Sequence, residues 1–146
     1  MDIFKQLSSG ADVDMVKPEY AEAIKEMGRC NQICFRINTT EPDMETIRPL
    51  EGTLFDGGLD TTSYIIPPMQ IDFGCQMKIG KGVFINHSLT CMAAGGITIE
   101  DGVMIGPNVA LSQTTTISKT VWCCDASLYT SDVMLGLAWV PSYCRA

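Results

Sequence analysis

The 146-residue sequence contains a single histidine, His87, and no apolar stretch near the roughly 18 residues that a membrane-spanning helix requires. A helical membrane span is therefore excluded. The N-terminal MDIFKQLSSGADVDM also lacks an apolar run of signal-peptide length, so a cytoplasmic location without a membrane partner is expected. Basic residues are scarce as well: ten Lys and Arg against seventeen Asp and Glu give a formal net charge of -7, with no basic patch. Nucleic acid or an anionic membrane would be repelled as a main partner. Cys30 and Cys34 stand one helical turn apart, but neither a CxxC pair nor a second histidine joins them, so no metal is expected. The seven cysteines (Cys30, Cys34, Cys75, Cys91, Cys123, Cys124 and Cys144) are an odd, scattered set. That argues against a secreted disulfide framework and for reduced thiols acting as small buried hydrophobes. The length suits one domain with its own core.

The remaining text divides in three: a helical region over residues 1–60, a repeat over 61–111 and a tail over 112–146. Pro18 suits the first turn of a helix, and Tyr20, Ile24, Met27, Cys30 and Cys34 then fall on one stripe, with Glu22, Lys25 and Glu26 on the wet side. A second helix is expected from near Glu41-Pro42, with Met44, Ile47, Leu50 and Leu54 as its apolar face. Pro49 predicts a kink or break in it, since an interior proline costs a helix about 3 kcal/mol. Such a hairpin needs a larger body to pack on. GGLDTTSYIIPPMQIDFG then loses helical periodicity and reads as an extended crossover.

From Ile79 the sequence runs IGKGVF, INHSLT and, after a two-residue slip at Ala93-Ala94-Gly95-Gly96, IEDGVM and IGPNVA. A period of six matches neither helix nor simple strand. It suits a β-helix of short strands, with three flat faces per coil, an aliphatic residue inward on each strand and a corner after it. Gly80, Asn86, Asp101-Gly102, Gly106 and Asn108 fit the corners, because they tolerate positive φ. Val83, Leu89, Val103 and Val109 supply a second inward register, and the slip reads as an outward bulge. An incomplete prism of about two coils is expected.

DVDMVKPEY, GRCNQICFRIN, TEPD, PPMQIDFG, VFINHSLT and GGITIEDGVMIGPNV together resemble the maltose and galactoside O-acetyltransferase group of the hexapeptide-repeat acyltransferases, from Met1 to about Leu111. The resemblance implies a left-handed parallel β-helix behind a helical hairpin, a homotrimer with active sites between subunits, acetyl-CoA as co-substrate, and a sugar or related alcohol as acceptor. It implies direct acetyl transfer with a histidine as general base, a role that imidazole suits because it titrates near neutral pH. The acceptor side of the pocket falls on Asp14, Asp72, Phe84 and Asn86. Asp72 stands where some relatives have serine and Phe84 where some have tyrosine; a further family carboxylate falls on Ala94 and is absent. Asn86 is equally a corner former. The family base falls on Thr116, which cannot take up the proton. His87 matches a position without that role, and is either a substitute base or a structural, pocket-lining imidazole.

After Leu111 the hexads stop. Residues 112–146 hold both tryptophans, one isoleucine (Ile117) and no glutamate. A shift of reading frame accounts for this: MLGLAWVPSYCRA back-translates, in a shifted phase, to AWIGLGAVILPGV, and SQTTTI to a string containing TDNHD. A tail out of frame removes the base and the later coils, leaves a solenoid without its terminal cap, and predicts little transferase activity. Two functions follow from different classes. One is an O-acetyltransferase by descent, impaired in this chain; the other is a non-catalytic solenoid that co-assembles with intact relatives. A metal-dependent hydratase on the same scaffold needs several histidines, and this chain has one.

Overall fold

A computed structural model of the chain describes residues 2–112 and 115–118. Three helices come first: α1 (Ile3–Ser8), α2 (Ala21–Thr39) and α3 (Met44–Leu54). Asp2 caps α1 by accepting from the Phe4 amide, and Asp43 caps α3 by accepting from the Glu45 amide. Helix α1 was not anticipated from the sequence, although Asp2 ahead of Ile3 and Phe4 is a start signal.

Among the described residues nine short strands follow: β1 (Tyr64–Ile65), β2 (Met69–Ile71), β3 (Met77–Ile79), β4 (Phe84–Ile85), β5 (Leu89–Met92), β6 (Ile97–Ile99), β7 (Met104–Ile105), β8 (Ala110–Ser112) and β9 (Thr115–Ile117). They pair in parallel as three sheets, β1-β4-β7, β2-β5-β8 and β3-β6-β9, the faces of a left-handed parallel β-helix. Inward-facing Ile65, Ile71, Ile85, Ile97, Ile99 and Ile105 are buried, and so are Val83, Leu89, Val103 and Val109, the second register expected from the hexads. Full burial of such a side chain is worth about 1.5–3 kcal/mol, which is what holds coil on coil.

Three rungs stand where about two were expected. The crossover at residues 57–74 already contains β1 and β2; its inward residues are Ile65, Met69 and Ile71, and the missing hexad spelling hid them. At the other end the prism passes Leu111, because β9 stacks on β6 with Ile117 buried inward. Threonine and isoleucine are β-branched and suit a pleated, half-buried surface whatever their family spelling. The remainder of the tail, and the frame shift read into it, lies outside the described residues.

The slip at Ala93–Gly96 is matched one rung below by the turn Gly74–Gln76, so Tyr64, Phe84 and Met104 stay in line, as do Met77 and Ile97. Ala93 itself is buried rather than bulged outward, and its carbonyl accepts from the Gly96 amide at 2.8 Å. Corners at Ser88 (φ 64°) and Asn108 (φ 58°) turn through the left-handed region, as do Gly82 and Gly102, whereas Gly80 and Asn86, expected there, do not; the Asn108 amide donates to the His87 carbonyl at 3.1 Å.

Helix α2 is rotated from its expected phase. Ala23, Glu26, Cys30, Cys34 and Ile37 form its buried face, while Ile24 is 56% exposed. Glu26, assigned to the wet side, is only 9% exposed. It is held by a two-pronged pair with Arg29 (2.6 and 2.7 Å) and by the Cys75 amide (3.1 Å). An anchored carboxylate thus overrides the apolar stripe, because the prism offers an amide at that point that needs an acceptor. Pro49 neither breaks nor ends α3, which runs to Leu54 with Ile47, Glu51 and Leu54 buried. Proline there removes one hydrogen bond near the start of the helix, and burial against α2 and the prism offsets the loss.

The hairpin closes the N-terminal end of the prism. The Tyr64 and Ile66 amides donate to the next rung, to Val83 and Ile85 carbonyls at 2.9 Å each. In a parallel ladder alternate residues face the opposite way, so Ile65, Met69 and Ile71 face an end with no rung beyond it. Asn38 substitutes for a strand peptide there: its Nδ2 donates to the Met69 carbonyl at 2.7 Å and its Oδ1 accepts from the Met69 amide at 2.8 Å. The Cys34 thiol lies 3.9 Å from the Ile71 carbonyl, and the Gly74 amide donates to Cys30 Sγ at 3.2 Å.

Candidate functional site

Asp14 lies exposed in the loop between α1 and α2. Its Oδ1 accepts from the Val16 amide at 3.0 Å and its carbonyl accepts from Lys17 at 3.2 Å. The loop borders a hollow of about 550 Å³ lined by Gln6, Asp12, Asp14, Lys17 and Tyr20 among others. Asp72 is half-buried at the corner after β2, and its Oδ1 accepts from the Ala93 amide one rung above at 2.7 Å. Burial pushes its pKa up, opposed by the Ala93 and Phe73 amides.

Phe84 and Asn86 sit together on β4 and the corner that follows it. Phe84 points outward, in register with Tyr64 below and Met104 above, a column of large apolar side chains on one face. Asn86 is half-buried; its amide donates to Ile105 at 2.8 Å, and its Oδ1 accepts from the His87 amide at 2.8 Å. The corner-forming role is therefore real. Its Nδ2 has no partner among the described residues and remains a donor on a rigid edge. His87 is exposed, its Nδ1 3.3 Å from Ser88 Oγ. Thr116 is exposed on the outer face of β9, in register with Thr98, which is itself in register with Lys78.

The chain brings Phe84 and Asn86 together, and places the other candidates on different faces or corners of a closed prism. Asp72 belongs to the corner between the second and third sheets, Thr116 to the third sheet, and Asp14 to the N-terminal loop. Missed altogether was the cluster of Glu26, Arg29, Cys30 and Cys75. Burial pushes the Glu26 carboxyl up, but bonds from Arg29, Cys30 and Cys75 more than offset this and bring it down to about 2. Burial likewise leads in raising the Cys30 and Cys75 thiols to about 12, which leaves them unreactive. The Glu-Arg pair three apart on a helix was the available signal.

Comparison with known proteins bears on what this arrangement is. A provisionally named acetyltransferase of Schizosaccharomyces pombe is 30% identical over 123 residues, 77% of this chain and 57% of that protein. A solved hexapeptide-repeat acetyltransferase from Vibrio cholerae aligns with a TM-score of 0.57 at 30% identity, covering 61% of this chain and 49% of the other. The chain is similar in sequence and in fold to hexapeptide-repeat acetyltransferases. A galactoside acetyltransferase solved with coenzyme A shares the fold, with a TM-score of 0.62 at 24% identity over 77% of this chain and 55% of that one. No protein-family model matches the chain. The chain spans about half the length of these three relatives. Among its described residues no helix is long and apolar enough to cross a membrane, and no group of three His, Cys, Asp or Glu side chains is placed to hold a metal ion.

Proposed function

We propose that the protein descends from acetyl-CoA-dependent O-acetyltransferases acting on a sugar or related hydroxyl, in the cytoplasm and as a homotrimer, without a metal. The observation that carries the reading is the edge formed by Phe84 and Asn86. An outward aromatic ring and an amide donor without a partner among the described residues, fixed two residues apart by the prism, suit the apolar face and the hydroxyls of a sugar. Asp14 and Asp72 join them as hydroxyl acceptors in this proposal. Because Asp14 and Asp72 lie away from the Phe84 and Asn86 edge, a shared pocket requires a neighbouring subunit, which the proposed trimer supplies.

In the proposed reaction the acceptor oxygen attacks the thioester carbonyl, a base takes the hydroxyl proton and coenzyme A leaves as its thiol. The base position is Thr116, exposed on β9, and threonine does not accept that proton at neutral pH. Transfer by this chain is therefore expected to be slow. The test is acetyl-CoA-dependent release of coenzyme A thiol with maltose, glucoside and galactoside acceptors. Wild type should lie near background, Thr116→His should raise turnover by on the order of a hundredfold, and Asn86→Ala in that background should raise KM. Vigorous turnover by wild type overturns the impairment. No gain from Thr116→His overturns the placement of the base.

A second reading is favoured by the intact N-terminal cap. The hairpin is seated on the prism end by Asn38 and Cys30, a surface that suits co-assembly with longer relatives without catalysing transfer. Mixed trimers recovered by affinity tag on the relative separate this reading from the first.

A further inference from the structure

Among the polar side chains at the N-terminal end of the prism, one is unlike the others. Asn38 is bonded twice to Met69, and Glu26 is neutralised by Arg29. Glu51, on α3, is 0% exposed, and neither of its carboxyl oxygens meets a partner in hydrogen-bond geometry. It lies over β1, where the Ile65 amide is the one backbone group that still favours its ionised form. A buried carboxylate without a partner is costly, whereas a neutral carboxyl is tolerated.

The charges around it are few. From its own helix Arg48 acts on it, and Arg48 is the only charged group doing so among the described residues. Arg48 is already engaged: its guanidinium donates to the Asp60 and Ser63 carbonyls at 3.3 and 3.1 Å and stands 4.6 Å from the centre of the Tyr64 ring. The turn before β1 thus contributes carbonyls, with the Asp60 carboxylate exposed and bonded to Thr62. From α2, Glu26 and Arg29 are closed on one another, and Arg29 also caps the Thr53 and Leu54 carbonyls at the end of α3.

We propose that Glu51 is a proton-controlled catch on the N-terminal cap. Neutral, it locks α3 against β1; ionised, it draws Arg48 from Tyr64 and loosens the seat of α3. Tyr64 is in register with Phe84, so the catch ends beside the edge described above. Burial holds the Glu51 carboxyl at about 7 against an ordinary 4.5, with Arg48 and Ile65 pulling the other way. The folded pKa is raised, so this contribution to stability is complete below about pH 4.5 and is lost as pH rises through about 7.

The test uses the full 146-residue chain, with carbon-13 titration of the glutamate carboxyls and hydrogen exchange followed from pH 5.5 to 8.5 after correction for intrinsic rates. Glu51 should titrate near 7. Exchange over residues 44–65 should rise by on the order of tenfold or more across that range in wild type and stay flat in Glu51→Gln. A Glu51 midpoint in the ordinary carboxylate range, or the same rise in Glu51→Gln, overturns the proposal. Should Glu51→Gln not fold, the wild-type carbon titration decides alone.

Discussion

Between rungs the prism satisfies its strands with backbone from the neighbouring coil, and at its hairpin end it satisfies them with side chains. The first arrangement repeats, tolerates sequence change on outward positions and depends mainly on an inward aliphatic residue per strand. The second happens once and depends on individual atoms: the Asn38 amide, the Glu26 carboxylate, the Cys30 sulfur and the close approach of Gly74 to the Leu54 carbonyl. Damage to a rung should therefore scale with buried volume and charge, and damage to the cap with lost donors and acceptors.

The largest effect should come from the rung side. Ile99→Asp buries a carboxylate in the centre of the prism and should abolish the cooperative unfolding transition by circular dichroism, a loss of more than about 4 kcal/mol. Next comes Gly74→Ala, whose Cβ would collide with the Leu54 carbonyl oxygen. Backbone on both sides leaves little room to yield, so a cost of about 3 kcal/mol is expected in denaturant titration, confined to the hairpin if the two regions are separable. Asn38→Leu removes both bonds to Met69 and leaves two backbone groups unmatched, at about 2 kcal/mol, with faster exchange at the Met69 amide as the readout. Equal losses for Asn38→Leu and for an outward change such as Thr90→Leu would erase the distinction between cap and rung.

Acid sharpens the comparison further, because the two buried carboxyls of the cap work in opposite directions. Glu26 is depressed from 4.5 to about 2, so its contribution is present above about pH 4.5 and is lost as pH falls toward 2. Glu51 gains as pH falls from about 7 to 4.5. Hairpin protection should peak near pH 4.5–5, and Glu26→Gln should remove the acid limb alone. The smallest effect belongs to Lys25→Ala, which breaks only an exposed 3.9 Å pair with Glu22 and should leave the melting temperature unchanged.

Legibility in the sequence followed the same division. Ile85, Ile99 and Ile105 announced their inward positions by recurrence, since a solenoid uses the same contact again and again. The first rung, around Ile65 and Met69, and the last strand at 115–117 were missed because they make the same backbone pairing with other spellings. Of the four candidates taken from the resemblance, the prism holds Phe84 and Asn86 two residues apart on one edge, while Asp14 and Asp72 lie elsewhere and join them only in the proposed trimer. Glu26 was assigned to solvent because helical periodicity weighs hydrophobicity and is blind to a neighbouring amide in need of an acceptor.

The amino-acid order alone determined the period of six, the corner at Asn108 and the inward stripe, because each depends on contacts within or between like strands that every coil repeats. Tertiary structure alone decided which face of α2 is buried, that α3 runs through Pro49, and that Glu51 lies sealed over β1 with only the Ile65 amide and Arg48 favouring its charge. Those outcomes turn on where unmatched backbone groups at the end of the prism meet the side chains of a distant hairpin, and that meeting has no period to be read.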